Sequence, residues 1–166
     1  MNVDWPGSLI AVKVLFGSVL IATIVTMAII DCRKMILPDR FNALLAATGM
    51  GQSLLVGTPG PIEAGLGSLI AFSMLWTVAE IFRRYRGIEG LGFGDLKFSA
   101  AAGLWVGWEG IAPMFVIASC SAFFFIVLRS WKQRRFEANA RIPFGPFLGL
   151  GTAMCWLMAA MPHSGS

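Results

Sequence analysis

Two aspartates lie where apolar runs of the sequence meet polar segments. Asp31 ends the run "VLIATIVTMAII", and Asp95 follows the glycines of "GLGFG" and precedes a run of small and apolar residues. Two carboxylates held at one depth can share a proton and activate a water molecule, one acting as general base and the other as general acid. The sequence therefore raises hydrolysis by an aspartate pair as a candidate chemistry.

Other hydrolytic chemistries lack the residues they need. A zinc site of the HExxH type requires two histidines, and His163 is the single histidine of the chain. A serine or cysteine nucleophile normally requires a nearby base, which leaves a serine and lysine pair as the open alternative. The chain contains four aspartates, Asp4, Asp31, Asp39 and Asp95. Carboxylate chemistry is thus favoured.

The glycines before Asp95 have a physical use. Gly92 and Gly94 carry no side chain, so the main chain can approach a neighbouring helix or an extended substrate closely. We expect both glycines to support the site, either through this close approach or through positive backbone φ angles.

The composition identifies the elements that must position these residues. Hydrophobic residues make up 57% of the 166, charged residues 13%, and the mean hydropathy is +0.73. A soluble domain carries roughly 25% charged residues. The chain is therefore predicted to be an all-α, polytopic integral membrane protein forming a single domain over 1–166.

Six apolar segments are predicted to be transmembrane helices. Several are close to or below the roughly 20 residues that cross a bilayer. The fourth, about twelve residues long, has two alternatives to a separate span: a re-entrant segment, or a continuation into the fifth. The predicted spans are about 8–30, 41–57, 62–82, 97–108, 110–128 and 144–161.

The distribution of cations predicts the orientation. Twelve of the 13 Lys and Arg residues fall in the first, third and fifth predicted loops, and the exception, Lys13, lies inside the first span. Under the positive-inside rule these loops are cytoplasmic and both termini are outside. Anionic lipid headgroups account for this basic face, so we expect contacts with membrane lipids and none with nucleic acid.

Three segments in order resemble one family. They are "DCRKMILPD" at 31–39, "EGLGFGDLK" at 89–97 and "IPFGPFLGLG" at 142–151. The "GFGD" of the second matches the GxGD motif of intramembrane aspartyl proteases, and the set resembles type IV prepilin peptidases. The resemblance implies an endopeptidase of the bacterial inner membrane that removes the short basic leader from prepilins or pseudopilins at the cytoplasmic face.

The resemblance also implies roles for individual residues. Asp31 and Asp95 become the catalytic pair, without a metal or other cofactor, and Pro38 and Asp39 support the site where the second helix begins. Larger family members carry a cysteine-bearing cytoplasmic segment and also methylate the new N-terminus. This chain begins about one helix before Asp31, so a core-only peptidase is expected, and N-methyltransferase activity does not follow from the resemblance. The oligomeric state stays open.

Two residues are candidates for substrate contact. Glu89 is expected to meet a leader cation, and Lys97 or an arginine is expected to meet an acidic residue beyond the cleavage site. Within the pair, Asp31 is expected at the C-terminus of the first helix and Asp95 at the N-terminus of the fourth. The helix dipole disfavours an anion at the C-terminus and favours one at the N-terminus. If the side chains of Arg33 and Lys34 point toward the headgroups and away from the site, Asp31 is predicted to be the protonated partner and Asp95 the base.

The charged residues also have purely structural interpretations. Asp95 or Asp39 can serve as the N-cap of a helix. Asp31 can pair with Arg33 or Lys34, and Glu80 with Arg83 or Arg84 at helical spacing.

In a different functional class, the aspartates can bind a proton or cation in a small transporter or membrane assembly subunit. A lipid-headgroup phosphotransferase is a third class, although the adjacent cations make Asp31 and Asp39 a poor metal site.

Overall fold

A computed structural model describes residues 6–87, 92–133 and 143–160, and these form six α-helices without strands. The all-α prediction is confirmed. The helices are α1 Pro6–Lys34, α2 Asp39–Val56, α3 Pro61–Arg86, α4 Phe93–Val106, α5 Ile111–Gln133 and α6 Gly145–Ala160.

Three of these helices are long and apolar enough to cross a bilayer by length and composition, namely α1, α3 and α5. Helix α6 is apolar but shorter, with 16 residues, and α4 has only 14. The chain is a multi-pass membrane protein, in which the shorter helices lie among the long ones.

Helix α4 begins four residues earlier than predicted. Its N-cap is Gly92 in an extended conformation, and its first turn includes the charged Asp95, which a hydropathy window assigns to a loop. The helix ends at Val106, and a four-residue turn separates it from α5. Helix α4 is therefore a separate helix and is not continuous with α5.

Helix α4 is central to the bundle. It packs against α2, α3 and α6, and most of its side chains are buried. The backbones of α3 and α4 touch at Gly67 and Gly103, and the indole N–H of Trp105 donates to the carbonyl oxygen of Leu45 in α2 over 2.8 Å. These contacts hold the first turn of α4 at a defined height beside its neighbours.

One end of the bundle collects the residues of interest. Asp31 lies in the last turn of α1, and the chain then turns at Met35, which has a φ of 52°, and passes Leu37 and Pro38 into α2. Helices α2, α4 and α6 all begin at this end, which we call the aspartate end. The salt bridges of Glu80 with Arg83 and Arg84 confirm the helical pairing predicted for α3.

Candidate active site

Asp31 is buried, and its carboxylate is hydrogen-bonded to the main chain of α6, which is distant in the sequence. The residue is only 3% exposed, and its Oδ2 accepts a hydrogen bond from the N–H of Gly145 over 3.0 Å. Arg33 and Lys34 point to the surface, and neither pairs with Asp31 among the described residues. The structural alternative of a salt bridge at Asp31 is therefore wrong.

Asp95 is buried in the first turn of α4. Its residue is 7% exposed, and the main-chain amide of Gly92 lies against its carboxylate. Its Oδ1 is buried and has no hydrogen-bond partner within the described part of the chain. The N-cap position belongs to Gly92, so the N-cap alternative for Asp95 is wrong. A buried carboxylate oxygen without a donor is rare in proteins and requires an explanation.

The fold brings the two aspartates together. Their carboxylates are close enough to interact electrostatically, although 64 positions separate them in the sequence. Leu37 packs between their supporting glycines: a Cβ at Gly94 would lie 3.0 Å from Leu37 Cβ, and one at Gly145 would lie 3.3 Å from Leu37 Cδ2. The site is thus assembled from the end of α1, the loop before α2, and the starts of α4 and α6.

Neither Gly92 nor Gly94 has the positive φ angle that was one of the two expectations for them. Gly92 has a φ of −71°, and Gly94 is inside α4, so neither uses a positive φ. The positive-φ glycines of the described chain are Gly57, Gly87 and Gly107. Close approach is the relevant property, because Gly94 packs directly on Leu37.

Pro38 and Asp39 lie where α2 starts. Pro38 occupies the N-cap position and Asp39 is the first helical residue, without a side-chain capping bond, so the N-cap alternative for Asp39 is wrong. Asp39 instead accepts from Lys97 Nζ over 2.7 Å, and the Lys97 ammonium also lies 5.3 Å from the ring centroid of Phe93. This pair joins the first residue of α2 to α4, two residues beyond Asp95.

The structure describes only one of the two residues predicted to contact the substrate. Lys97 is partly exposed at the aspartate end and paired with Asp39. Glu89 lies outside the described residues. Among the described residues, no three His, Cys, Asp or Glu side chains cluster in a way that could hold a metal ion.

Sequence reasoning missed the role of Gly145. It lies in the motif at 142–151, yet nothing local indicates that its amide meets Asp31. The available signal was its position, since a glycine that begins an apolar span exposes main-chain N–H groups at a helix N-terminus.

Comparison with known proteins identifies the family. The profile of the type IV leader peptidase family matches residues 18–127, about two thirds of the chain. The chain belongs to the type IV leader peptidase family. Asp31, Asp95 and the GFGD motif lie inside the matched range, whereas Gly145 lies beyond it.

Curated relatives in the type IV leader peptidase family are named prepilin leader peptidase/N-methyltransferase. The one from Burkholderia pseudomallei is 37% identical over 136 residues, covering 81% of this chain and 43% of the relative. Those from Aeromonas hydrophila and Escherichia coli are 32% and 33% identical, covering 80% and 78% of this chain and 46% and 56% of theirs. The chain spans about half the length of these relatives. No solved structure gives a significant match.

Proposed function

We propose that this protein is an aspartic endopeptidase that removes the short leader from type IV prepilins or pseudopilins. The observation that carries the proposal is the pair of buried carboxylates, Asp31 and Asp95, which α1 and α4 place together at one end of the bundle. Membership of the type IV leader peptidase family and the names of the relatives support the reaction class. The transporter alternative is not favoured by these similarities.

The proposed reaction is peptide hydrolysis without a covalent intermediate. One carboxylate takes a proton from water as the oxygen adds to the scissile carbonyl, while the other, protonated, donates a hydrogen bond to the carbonyl oxygen. The proton then passes to the leaving nitrogen as the C–N bond breaks. The Gly145 N–H keeps the Asp31 carboxyl in a fixed orientation, which is the preorganisation such a step requires.

The proposed location is the bacterial inner membrane, with the aspartate end facing the cytoplasm and both termini outside. The support is the charge distribution: exposed cations at this end include Arg33, Lys34, Arg40, Arg83 and Arg84. Anionic headgroups would surround the same face. We further propose that 1–166 acts as one peptidase domain, and we assign none of its residues to methyl transfer.

We also propose that two residues contact the substrate. Glu89 would meet a cation of the leader, and Lys97 an acidic residue beyond the cleavage site. If Glu89→Gln leaves the apparent affinity for leader peptides unchanged at low salt, where a charge contact is strongest, the Glu89 assignment is wrong.

The decisive experiment is cleavage of a co-expressed prepilin by variants of each aspartate. Asp31→Asn, Asp31→Ala, Asp95→Asn and Asp95→Ala are each expected to lose cleavage on a gel that separates precursor from mature pilin. Glu80→Gln is the matched control, because it removes a carboxylate whose partners lie on the exposed face of α3. Cleavage retained by both variants at either position would overturn the assignment, and loss of cleavage in EDTA would favour a metal mechanism.

A further inference from the structure

A cavity lies at the end of the bundle opposite the aspartates. Its volume is about 300 Å³, and it lies among the start of α1, the ends of α2, α4 and α6, and the loop between α2 and α3. The lining combines three charged side chains, Lys13, Glu63 and Glu109, with three indoles, Trp105, Trp108 and Trp156. This size is at the lower limit of small-molecule sites, which suits a polar headgroup.

Lys13 is the cation that lines this cavity. It lies about two turns inside α1, a predicted membrane span, and is only partly exposed. Within the described part of the chain, its ammonium forms neither an ion pair nor a hydrogen bond. A lysine in a membrane helix is costly unless an anion or polar surface receives it. The cavity therefore presents a cation that needs an anionic partner.

The two carboxylates of the cavity differ in availability. Glu63 Oε2 already accepts a hydrogen bond from the Gly60 N–H over 2.9 Å, as part of the start of α3. Glu109 is exposed and has no ion pair or hydrogen bond with another described residue. It follows Trp108, a residue that is 49% exposed. Together these two residues offer a carboxylate and an aromatic face, which suit an ammonium group.

An apolar groove continues from the cavity along α1. The groove is lined by one face of that helix from Val14 to Thr26, including the small residues Gly17 and Ala22, and by Trp156. Trp156 lines both the cavity and the groove. Twelve residues of helix span about 18 Å, which is close to half of a hydrocarbon core of about 30 Å. The groove therefore has the length of one leaflet.

We propose that this continuous surface binds one phospholipid with a zwitterionic, primary-ammonium headgroup of the phosphatidylethanolamine type. The phosphate would bind Lys13, the ammonium would bind Glu109 beside Trp108, and one acyl chain would lie in the α1 groove against Trp156. Lys13 and Glu109 line one cavity without pairing with each other, so a ligand carrying both charges satisfies both residues. The site is independent of the proposed peptidase function.

Native mass spectrometry of the full chain, purified in detergent, tests the proposal. Phosphatidylethanolamine and phosphatidylglycerol with identical acyl chains are titrated separately, and the fraction of protein retaining one lipid is measured. We expect the ethanolamine lipid to bind about tenfold more tightly, a difference of about 1.4 kcal/mol. Equal or tighter binding of the glycerol lipid, which has no ammonium, would overturn the assignment of the headgroup.

Variants locate the lipid on the protein. Lys13→Gln and Glu109→Gln should each weaken retention of the ethanolamine lipid about tenfold, whereas Lys13→Arg should restore it because the cation is kept. Lys34→Gln, at the other end of the same helix, is the matched control and should bind like the parent chain. If Lys13→Gln binds as tightly as the parent chain, the cavity is not the lipid site. The thermal midpoint of each variant shows that a loss of lipid is not a loss of fold.

Discussion

The main-chain N–H of Gly145 donates a hydrogen bond to Oδ2 of Asp31 over 3.0 Å, across 114 positions of sequence. A Cβ at Gly145 would lie 2.7 Å from the same oxygen, nearer than a Cβ approaches other heavy atoms in proteins. The last helix therefore both orients the Asp31 carboxyl and requires that position 145 has no side chain. This contact ties the third sequence motif to the first.

Gly145→Ala is expected to reduce cleavage by about 10²-fold, because the new methyl group displaces Asp31 from its position. Gly92→Ala should lose less than about tenfold, since a Cβ there would meet Asp95 Oδ2 at an ordinary 3.5 Å. The measurement is kcat/KM for a purified prepilin, with the thermal midpoint as a check on folding. Equal losses in the two variants would show that the Gly145 contact has no special role.

The two aspartates should differ when each becomes asparagine. The helix-end argument alone no longer separates them, because α6 begins at Gly145 and places a helix N-terminus beside Asp31. Main-chain hydrogen bonds do not separate them either, because the Gly145 amide lies beside Asp31 and the Gly92 amide beside Asp95. The roles predicted from the sequence, Asp31 as the hydrogen-bond donor and Asp95 as the base, still distinguish the two asparagine variants. In Asp31→Asn the amide oxygen can still accept from Gly145 and the NH₂ can donate to a scissile carbonyl, whereas Asp95→Asn would remove the proposed base.

With Asp95 as the base, Asp31→Asn should keep the larger residual rate. Single-turnover cleavage of a purified prepilin over long incubation measures both rates, and Asp31→Ala, which cannot hold the hydrogen bonds, is the control. A larger residual rate in Asp95→Asn would assign the base to Asp31.

The contact between α3 and α4 predicts a stability difference between two neighbouring glycines. A Cβ at Gly67 would lie 2.5 Å from the carbonyl oxygen of Gly103, whereas one at Gly65 would meet no atom within 4 Å. Gly67→Ala should destabilise the fold by about 1–3 kcal/mol through overpacking. Gly65→Ala should be neutral or stabilising by up to about 1 kcal/mol, because alanine is the better helix former. Thermal unfolding in detergent compares the two, and equal midpoints would contradict the close packing.

The pair of Asp39 and Lys97 predicts a small effect on stability. Their side chains are 71% and 39% exposed, so solvent screens the interaction. Lys97→Gln should change the free energy of unfolding by less than about 1 kcal/mol. If Lys97 also contacts the substrate, the same variant should raise KM for a prepilin with an acidic residue beyond the cleavage site and leave kcat unchanged. An unchanged KM would restrict Lys97 to its contact with Asp39.

The sequence alone determined the class of the protein and the helices that build it. Apolar runs, sparse charge and clustered cations are properties of the chain itself, and they indicate a helical membrane protein wherever the helices pack. They also placed Asp31 near the end of the first helix and Asp95 near the start of the fourth. The exact ends differ from the predicted spans, because α1 continues to Lys34 and α4 begins at Phe93 after Gly92. The motifs then pointed to the family.

Only the tertiary structure decided what those residues touch. The partner of Asp31 is an amide in α6, Asp39 pairs with Lys97 instead of capping α2, and Gly94 faces Leu37 with an ordinary helical backbone. The cavity containing Lys13 and Glu109 likewise exists because helices far apart in sequence end at the same height. Local sequence preferences do not specify such contacts, because they depend on the depth and rotation at which each helix packs against the others.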